Sequence, residues 1–399
     1  MTTKRITILI LAILMSSFSS INCSAQKTTS SDTYTAGKNY ILKNGTPLII
    51  KGVVYVPIYP GFLPWELSPR TDLPEKLKKS IVKDIRDIKE MGANTIRFWD
   101  VPAFCYKALK DVGGLCFIQT VWFDASQNDY QSSAYKEKCK KNIVIAIDRI
   151  YSVYSQDDPP PIVAFLVGNE LYRRNVLKTD TLHPEIKSYK GAYVSAQEGA
   201  TPTECFLAEM ADYTKEYEMV HYGQSHLVSY SNEVRTEDIL DTPFLDFRSY
   251  NIYPYGIWEE SRIDLDKRNK SLFEMWTEHF KKEYPDKPLL ITETGLSESP
   301  NAQHTGPPHY GYGGNTEDEH AEYLQETWKE LIAAKVPLAG MCIHEYLDSW
   351  WKFGKEDSLE HDPSDVEEWF GIVAIEPEGD WYKTVFRKVY NTMKKQWAQ

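Results

Sequence analysis

Two glutamates in this chain terminate apolar runs. Val167-Gly168-Asn169-Glu170 closes the run that begins at Ile162, and Ile291-Thr292-Glu293-Thr294-Gly295 closes the run that begins at Leu289. A carboxyl group donates a proton when neutral and attacks, or takes a proton, when ionised. A pair whose surroundings drive their pKa values apart can therefore work as acid and nucleophile on one carbon. A single Glu at such a position is ordinarily just solvated, whereas two in matching contexts argue for a shared site. Arg97, in Thr95-Ile96-Arg97-Phe98-Trp99-Asp100, places a cation in a third apolar run. Beside a carboxylate it would hold that group ionised; the competing partner is Asp100. The nine His form no HExxH and no His-x-His pair, His344-Glu345 being the nearest approach, and no Gly-x-Ser-x-Gly element is present. These residues imply no catalytic metal, no cofactor and no serine nucleophile.

What must position such a pair is a set of buried strands. Apolar, β-prone runs centre on residues 52–56, 95–98, 115–120, 162–167, 227–230, 247–252, 289–292 and 339–343. Runs that are apolar throughout, as at 162–167, suit strands covered on both faces. Helical periodicity lies between them. Leu77, Ile81, Ile85 and Ile88 share one face before Gly92, and Phe206, Met210, Tyr213, Tyr217 and Val220 share another. Thr316 and Glu319 have capping-box spacing ahead of Ala321, Leu324, Trp328 and Leu331. Residues 235–243 leave room for only a short helix. Ahead of the first run, Asn44-Gly45 between two short apolar stretches predicts a tight hairpin. Eight strands alternating with helices predict an α/β fold, a closed (β/α)8 TIM barrel rather than an open doubly wound sheet. Gly311-Tyr312-Gly313-Gly314 follows the seventh strand, the wrong place for a nucleotide-binding glycine turn. In such a barrel the C-terminal ends of the strands form one rim, and Glu170 and Glu293 would face each other across it.

With those residues in place, the chain resembles clan A of the glycoside hydrolases, the retaining (β/α)8 glycosidases. The likeness runs from about residue 38 to the end. Val167-Gly168-Asn169-Glu170, Asn251-Ile252-Tyr253-Pro254-Tyr255 and Glu293-Thr294-Gly295 are most similar to family 17, which acts on β-1,3-linked glucans. The resemblance implies hydrolysis of a β-linked glycan by double displacement, with Glu170 as acid/base and Glu293 as nucleophile. It further implies that Asn169 binds the 2-hydroxyl, that Tyr253 donates to the nucleophile and that Arg97 supports it. One of Trp350 and Trp351, in Tyr346-Leu347-Asp348-Ser349-Trp350-Trp351-Lys352, would floor the sugar subsite. The chain departs from family 17 at Ser349, where an acidic residue is usual, and in the longer stretches 172–202 and 304–315. A transglycosylase on the same glycan, or a catalytically silent sugar-binding surface protein, would use the same barrel; retention of Glu170, Glu293, Asn169 and Tyr253 speaks against the silent form.

Composition bounds the rest. The 399 residues carry a net charge of −12, which argues against nucleic acid or an anionic membrane surface as partner and suits a neutral glycan. Aromatic residues make up 13% of the chain, with 11 Trp and 26 Tyr, enough for sugar-stacking faces beyond the core. Lys4 and Arg5 precede an apolar run from Ile6 to Met15, which is too short to span a bilayer and reads as an export signal, residues 1–25. Cleavage after Ala25 and lipidation at Cys23 are the two processing routes. Residues 26–37 read as a short tether and 38–399 as the barrel domain. The other five Cys, at 105, 116, 139, 205 and 342, show no metal spacing, and their odd number leaves at least one free thiol.

Overall fold

The computed structural model describes residues 32–255, 270–300, 306–307, 310–352 and 361–398. The expected export signal and Cys23 lie outside these residues, as does the first half of the stretch read as a tether. The end of that stretch is a strand: β1 (Tyr34–Ala36) pairs antiparallel with β2 (Ile41–Lys43), which turns into β3 (Thr46–Leu48). The turn residues Asn44 and Gly45 have φ of 52° and 78°, the left-handed pair that a two-residue hairpin requires.

Eight parallel strands then close into a barrel. They are β4 (Ile50–Tyr55), β5 (Thr95–Phe98), β6 (Cys116–Val121) and β7 (Ile162–Asn169), followed, after the small hairpin of β8 (Tyr189–Lys190) and β9 (Ser195–Ala196), by β10 (Leu227–Glu233), β11 (Arg248–Asn251), β12 (Leu289–Thr294) and β13 (Gly340–Ile343). Closure is by β13 against β4, with Gly340 opposite Ile50. All eight predicted runs are strands of this barrel. The observed strands β7, β10 and β12 outrun their apolar cores by two or three residues, and those polar extensions build the rim.

Helices α1 (Pro64–Leu67), α2 (Glu75–Glu90), α3 (Ala103–Val112), α4 (Ser133–Tyr151), α5 (Arg173–Leu182), α6 (Pro202–Tyr222), α7 (Leu272–Glu283), α8 (Glu317–Ala333) and α9 (Lys388–Trp397) surround it. On α2 the predicted face is fully buried: Leu77, Ile81, Ile85 and Ile88 have no exposed surface. Each such side chain is worth roughly 1.5–3 kcal/mol of transfer free energy. On α6 the predicted face holds at Phe206 and Met210 but turns to solvent at Val220, which is 70% exposed. The C-terminal end of α6 leans on α4, with Tyr217 and Tyr222 both donating to Asp148 and Tyr222 stacked on Tyr151 at 3.9 Å. Thr316 and Glu319 close a reciprocal capping box on α8. The crossover from β10 to β11 contains a single 3-10 turn, Val234–Thr236, in line with the short segment available.

Elements after β13 were not read from the sequence. The hairpin of β14 (Val373–Glu378) and β15 (Trp381–Phe386) packs Trp381 on Tyr59 at a 5.9 Å centroid distance. Helix α9 packs between α8 and α2, with Trp397 edge-on to Trp328 at 5.8 Å and Tyr390 donating to the Asp87 carbonyl at 2.7 Å, and Lys51 of β4 donates to the Trp397 carbonyl at 2.6 Å. Cys105, Cys116, Cys139, Cys205 and Cys342 are all buried free thiols.

Candidate active site

A bulge positions the first carboxylate. Pairing of β7 with β10 slips between Leu166–Ser229 and Asn169–Ser231, and Gly168, at φ +92°, is the residue that lets the strand kink there. Asn169 and Glu170 are thereby both delivered to the rim. Glu170 itself adopts φ +46°, a left-handed conformation uncommon for a residue with a side chain, held by its own N–H donating to the Ser231 carbonyl at 2.9 Å. Such backbone strain is typical of residues whose placement matters to a site. Glu293 emerges from β12 opposite Asn251. Gly295, two residues on, passes so close to the chain that a Cβ there would lie 2.0 Å from the His344 carbonyl oxygen.

Arg97 links the ends of β7 and β12. It has no exposed surface, and its fork reaches five partners, the longest contact being Nη2 to Ser231 Oγ at 3.4 Å. Nη1 donates to Glu293 Oε1 at 2.7 Å and to the Thr292 carbonyl at 2.8 Å, Nη2 to Asn169 Oδ1 at 2.8 Å, and Nε to Thr120 Oγ1 at 3.0 Å. Asp100, the competing partner, takes hydrogen bonds from Ser68 and Arg149 instead. Tyr253 donates to the other oxygen of Glu293, Oε2, at 2.7 Å. Glu293 therefore receives a donor on each oxygen, the arrangement that an attacking carboxylate needs.

Glu170 has different company. Its Oε1 accepts from Asn251 Nδ2 at 2.8 Å, and the orientation of that amide is fixed because Ser231 and Thr292 donate to Asn251 Oδ1 at 2.9 and 2.8 Å. Burial, with the charges of Glu293 and Glu233 added, pushes the Glu170 carboxyl up to about 8. Glu233, at the end of β10, is itself raised by burial, against the opposing pull of Arg235, with which it forms an ion pair. Tyr253 is driven well above its ordinary range by burial and by Glu293, so it stays a neutral donor.

The strand ends thus bring Arg97, Asn169, Glu170, Tyr253 and Glu293 together. Trp350 and Trp351 lie in other aromatic contacts: Trp350 stacks on His361 at 4.4 Å, and Trp351 meets Trp65 edge-on at 5.6 Å. Apart from Tyr253, the aromatic wall nearest Glu293 comes from residues the sequence did not single out as site residues. His344 packs between Trp99 at 5.5 Å and Phe370 at 5.3 Å, with Tyr253 at 6.0 Å. Ser349, the position where the chain departs from family 17, donates to buried Glu345 at 2.5 Å. Asn251 was legible only as part of its quoted fragment, and Glu233 only as one more polar residue after an apolar run. Among the described residues, no three His, Cys, Asp or Glu are grouped as a metal site would need, and no helix is long and apolar enough to cross a membrane.

No family model matches the sequence, and no curated protein matches it either. The fold, by contrast, is well represented among solved structures. It is similar to that of a GH2 β-galacturonidase from Eisenbergiella tayi bound to galacturonate, with a TM-score of 0.58 at 18% identity over 92% of this chain and 54% of that one. A β-glucuronidase from Ruminococcus gnavus gives a TM-score of 0.59 at 16% identity over 92% of this chain and 53% of that one. The chain spans about half the length of these enzymes. At such identities the likeness is one of fold, and the fold is a (β/α)8 barrel; none of these similarities points to family 17 in particular.

Proposed function

We propose that this chain is a retaining β-glycosidase in which Glu170 is the general acid/base and Glu293 the nucleophile. The observation that carries this reading is the unequal company of the two carboxyls. Glu170 is kept protonated to about 8 by burial and by its acidic neighbours, so it can give a proton to a departing glycosidic oxygen at neutral pH. Glu293, clasped by Arg97 and Tyr253, can attack the anomeric carbon and form a glycosyl-enzyme. Glu170 then takes a proton from the water or sugar hydroxyl that attacks this intermediate, so hydrolysis and transglycosylation share every residue named here. Asn169, fixed by Arg97, is suited to hold the 2-hydroxyl, where hydrogen bonds strengthen as the transition state forms.

The substrate we favour is a β-1,3-linked glucan, on the strength of the fragments around Glu170, Tyr253 and Glu293. A uronide, as in the β-galacturonidase and β-glucuronidase that share the fold, would call for a cation to meet its carboxylate. Among the described residues, the cations around Glu293 are already matched: Arg97 by Glu293 itself, and Lys352 by Glu345 and Glu367 at 3.6 and 3.5 Å. The test is kcat/KM on laminari- and cello-oligosaccharides of equal length, with aryl β-glucuronide and β-galacturonide alongside. The laminari series should be turned over fastest. Preference for the cello series or a uronide would refute the linkage or the sugar, and no turnover of any β-glycoside would refute the glycosidase reading.

A further inference from the structure

The eighth strand leads directly into a buried histidine beside the nucleophile. His344 is 2% exposed, and its Nδ1 lies 3.8 Å from Glu293 Oε2, beyond hydrogen-bond reach. Lys352, eight residues on, returns to the same ring: its Nζ is 3.1 Å from His344 Nε2 and 5.3 Å from the centre of the Trp99 ring. Lys352 is buried too, and Glu345 and Glu367 flank its ammonium. Burial alone would lower its pKa, but Glu345, Glu367 and Glu293 more than offset that, so it stays charged.

These contacts fix where the imidazole proton sits. An ammonium offers three donors and no acceptor, so the Lys352 contact demands a lone pair on Nε2. Burial, helped by the positive charges of Lys352 and Arg97, pushes His344 well below its ordinary range, so the ring is neutral. A neutral imidazole that accepts at Nε2 carries its hydrogen on Nδ1. That Nδ1 is buried and has no hydrogen-bond partner among the described residues. Tyr253 already serves Glu293 Oε2, which leaves the Nδ1–H beside the nucleophile as an unspent donor. Buried donors are rarely left without a partner unless something else supplies one.

We propose that His344 is a substrate-binding donor, its Nδ1–H directed at a ring hydroxyl of the sugar whose anomeric carbon faces Glu293, and that Lys352 is the positioning residue that fixes this tautomer. The proposal rests on the reading of Glu293 as nucleophile. His344 flanks the Oε2 edge of Glu293, and Arg97 with Asn169 the Oε1 edge, so His344 and Asn169 serve different hydroxyls. A neutral dipole backed by a fixed cation suits a hydroxyl oxygen as acceptor.

The test crosses variants with substrates. His344→Phe, His344→Asn and Lys352→Met are assayed on 4-nitrophenyl β-D-glucoside and on its 2-, 3-, 4- and 6-deoxy analogues. His344→Phe should lower kcat/KM on the parent roughly ten- to hundredfold, the scale of one lost buried hydrogen bond, and should cost nothing further on one deoxy analogue other than the 2-deoxy compound. His344→Asn, which keeps an N–H near the Nδ1 position, should recover part of the loss, and Lys352→Met should show the same single-hydroxyl pattern in weaker form. Equal losses on all five substrates would overturn the donor role. Independently, nitrogen NMR of the full chain with 15N-labelled histidine rings should show His344 protonated on Nδ1 and bare on Nε2. That preference should be lost in Lys352→Met. A ring protonated on Nε2, or on both nitrogens, in the active wild-type chain overturns the inference alone. A wild-type chain that turns over none of the glucosides and no other β-glycoside overturns the glycosidase reading, and the donor role with it.

Discussion

Glu170 and Glu293 are the same residue type in contrasting company, and the contrast has a measurable pH signature. A carboxylic acid whose pKa is raised to about 8 stays protonated up to that pH, so kcat/KM should hold through neutrality and fall as the pH rises through about 8. Glu233→Gln removes one of the negative charges that raise Glu170, so the alkaline limb should move to lower pH while the protein stays folded. A limb that stays put or moves upward would show that Glu233 is electrostatically silent. Glu170→Ala should lower turnover of natural glycans by about 10²–10⁴-fold yet largely spare aryl glycosides with good leaving groups, which depart without a proton. Equal losses on both kinds of substrate would contradict the acid/base role. The acid pair was legible in the sequence because each Glu ends an apolar run, a placement that fixes its rim position without any three-dimensional information. His344 and Lys352 were not, because their contact depends on the path of a loop that leaves the eighth strand and comes back. Trp350 and Trp351 were singled out by residue type alone, and the structure gives them His361 and Trp65 as ring neighbours, contacts that residue type does not reveal.

The strands were the most readable elements, since a strand covered on both faces must be apolar at every position and that pattern is hard to counterfeit. Helix α8 announced itself by its cap, and the hairpin of β2 and β3 by Asn44-Gly45. The hairpin of β14 and β15 was missed for the converse reason. Only Val373 and Ile375 are buried there; β14 then runs exposed through Glu376, Pro377 and Glu378, and no residue of β15 is buried, so the stripe is too short to mark the pair. Glycines in the motifs turn out to have steric rather than chemical duties. A glycine stands two residues after Glu293 because the His344 backbone passes through the space a side chain would fill. Gly295→Ala must therefore push the β13 terminus away from β12. Expected results are a loss of roughly 2 kcal/mol or more in denaturant unfolding and a drop in kcat/KM, because His344 moves with its backbone. A variant with wild-type stability and activity would show that this close approach is relaxed in solution. Gly340 meets the same constraint at barrel closure, where a Cβ would lie 2.3 Å from the Ile50 carbonyl oxygen.

Across the whole molecule, buried acids set the pH at which the fold is firmest. Burial raises Glu170 to about 8 and Asp84, Glu345 and Glu368 each to about 7, whereas in the unfolded chain such groups titrate near 4. The folded state therefore holds protons that the unfolded state has released. The stability this confers is complete below about pH 4 and disappears as the pH rises through 7 and 8. Glu209 works the other way: Lys136 and Lys140 hold it below its ordinary value despite burial, and that contribution is lost in acid. Calorimetry should find Tm several degrees higher at pH 5.5 than at pH 8.5, on the scale of roughly 2–4 °C for each kcal/mol. A Tm that climbs over this interval would mean that the buried carboxyls are ionised in the folded protein. The pairing of β13 with β4 also carries a message about how the molecule comes into being. A ribosome delivers Ile50 early and Gly340 late, and until Gly340 arrives β4 presents an open, apolar parallel edge to everything around it. A cell that makes this chain must shelter that edge for most of the time of synthesis, and a premature stop ahead of the last strand would yield a sticky sheet rather than a smaller protein.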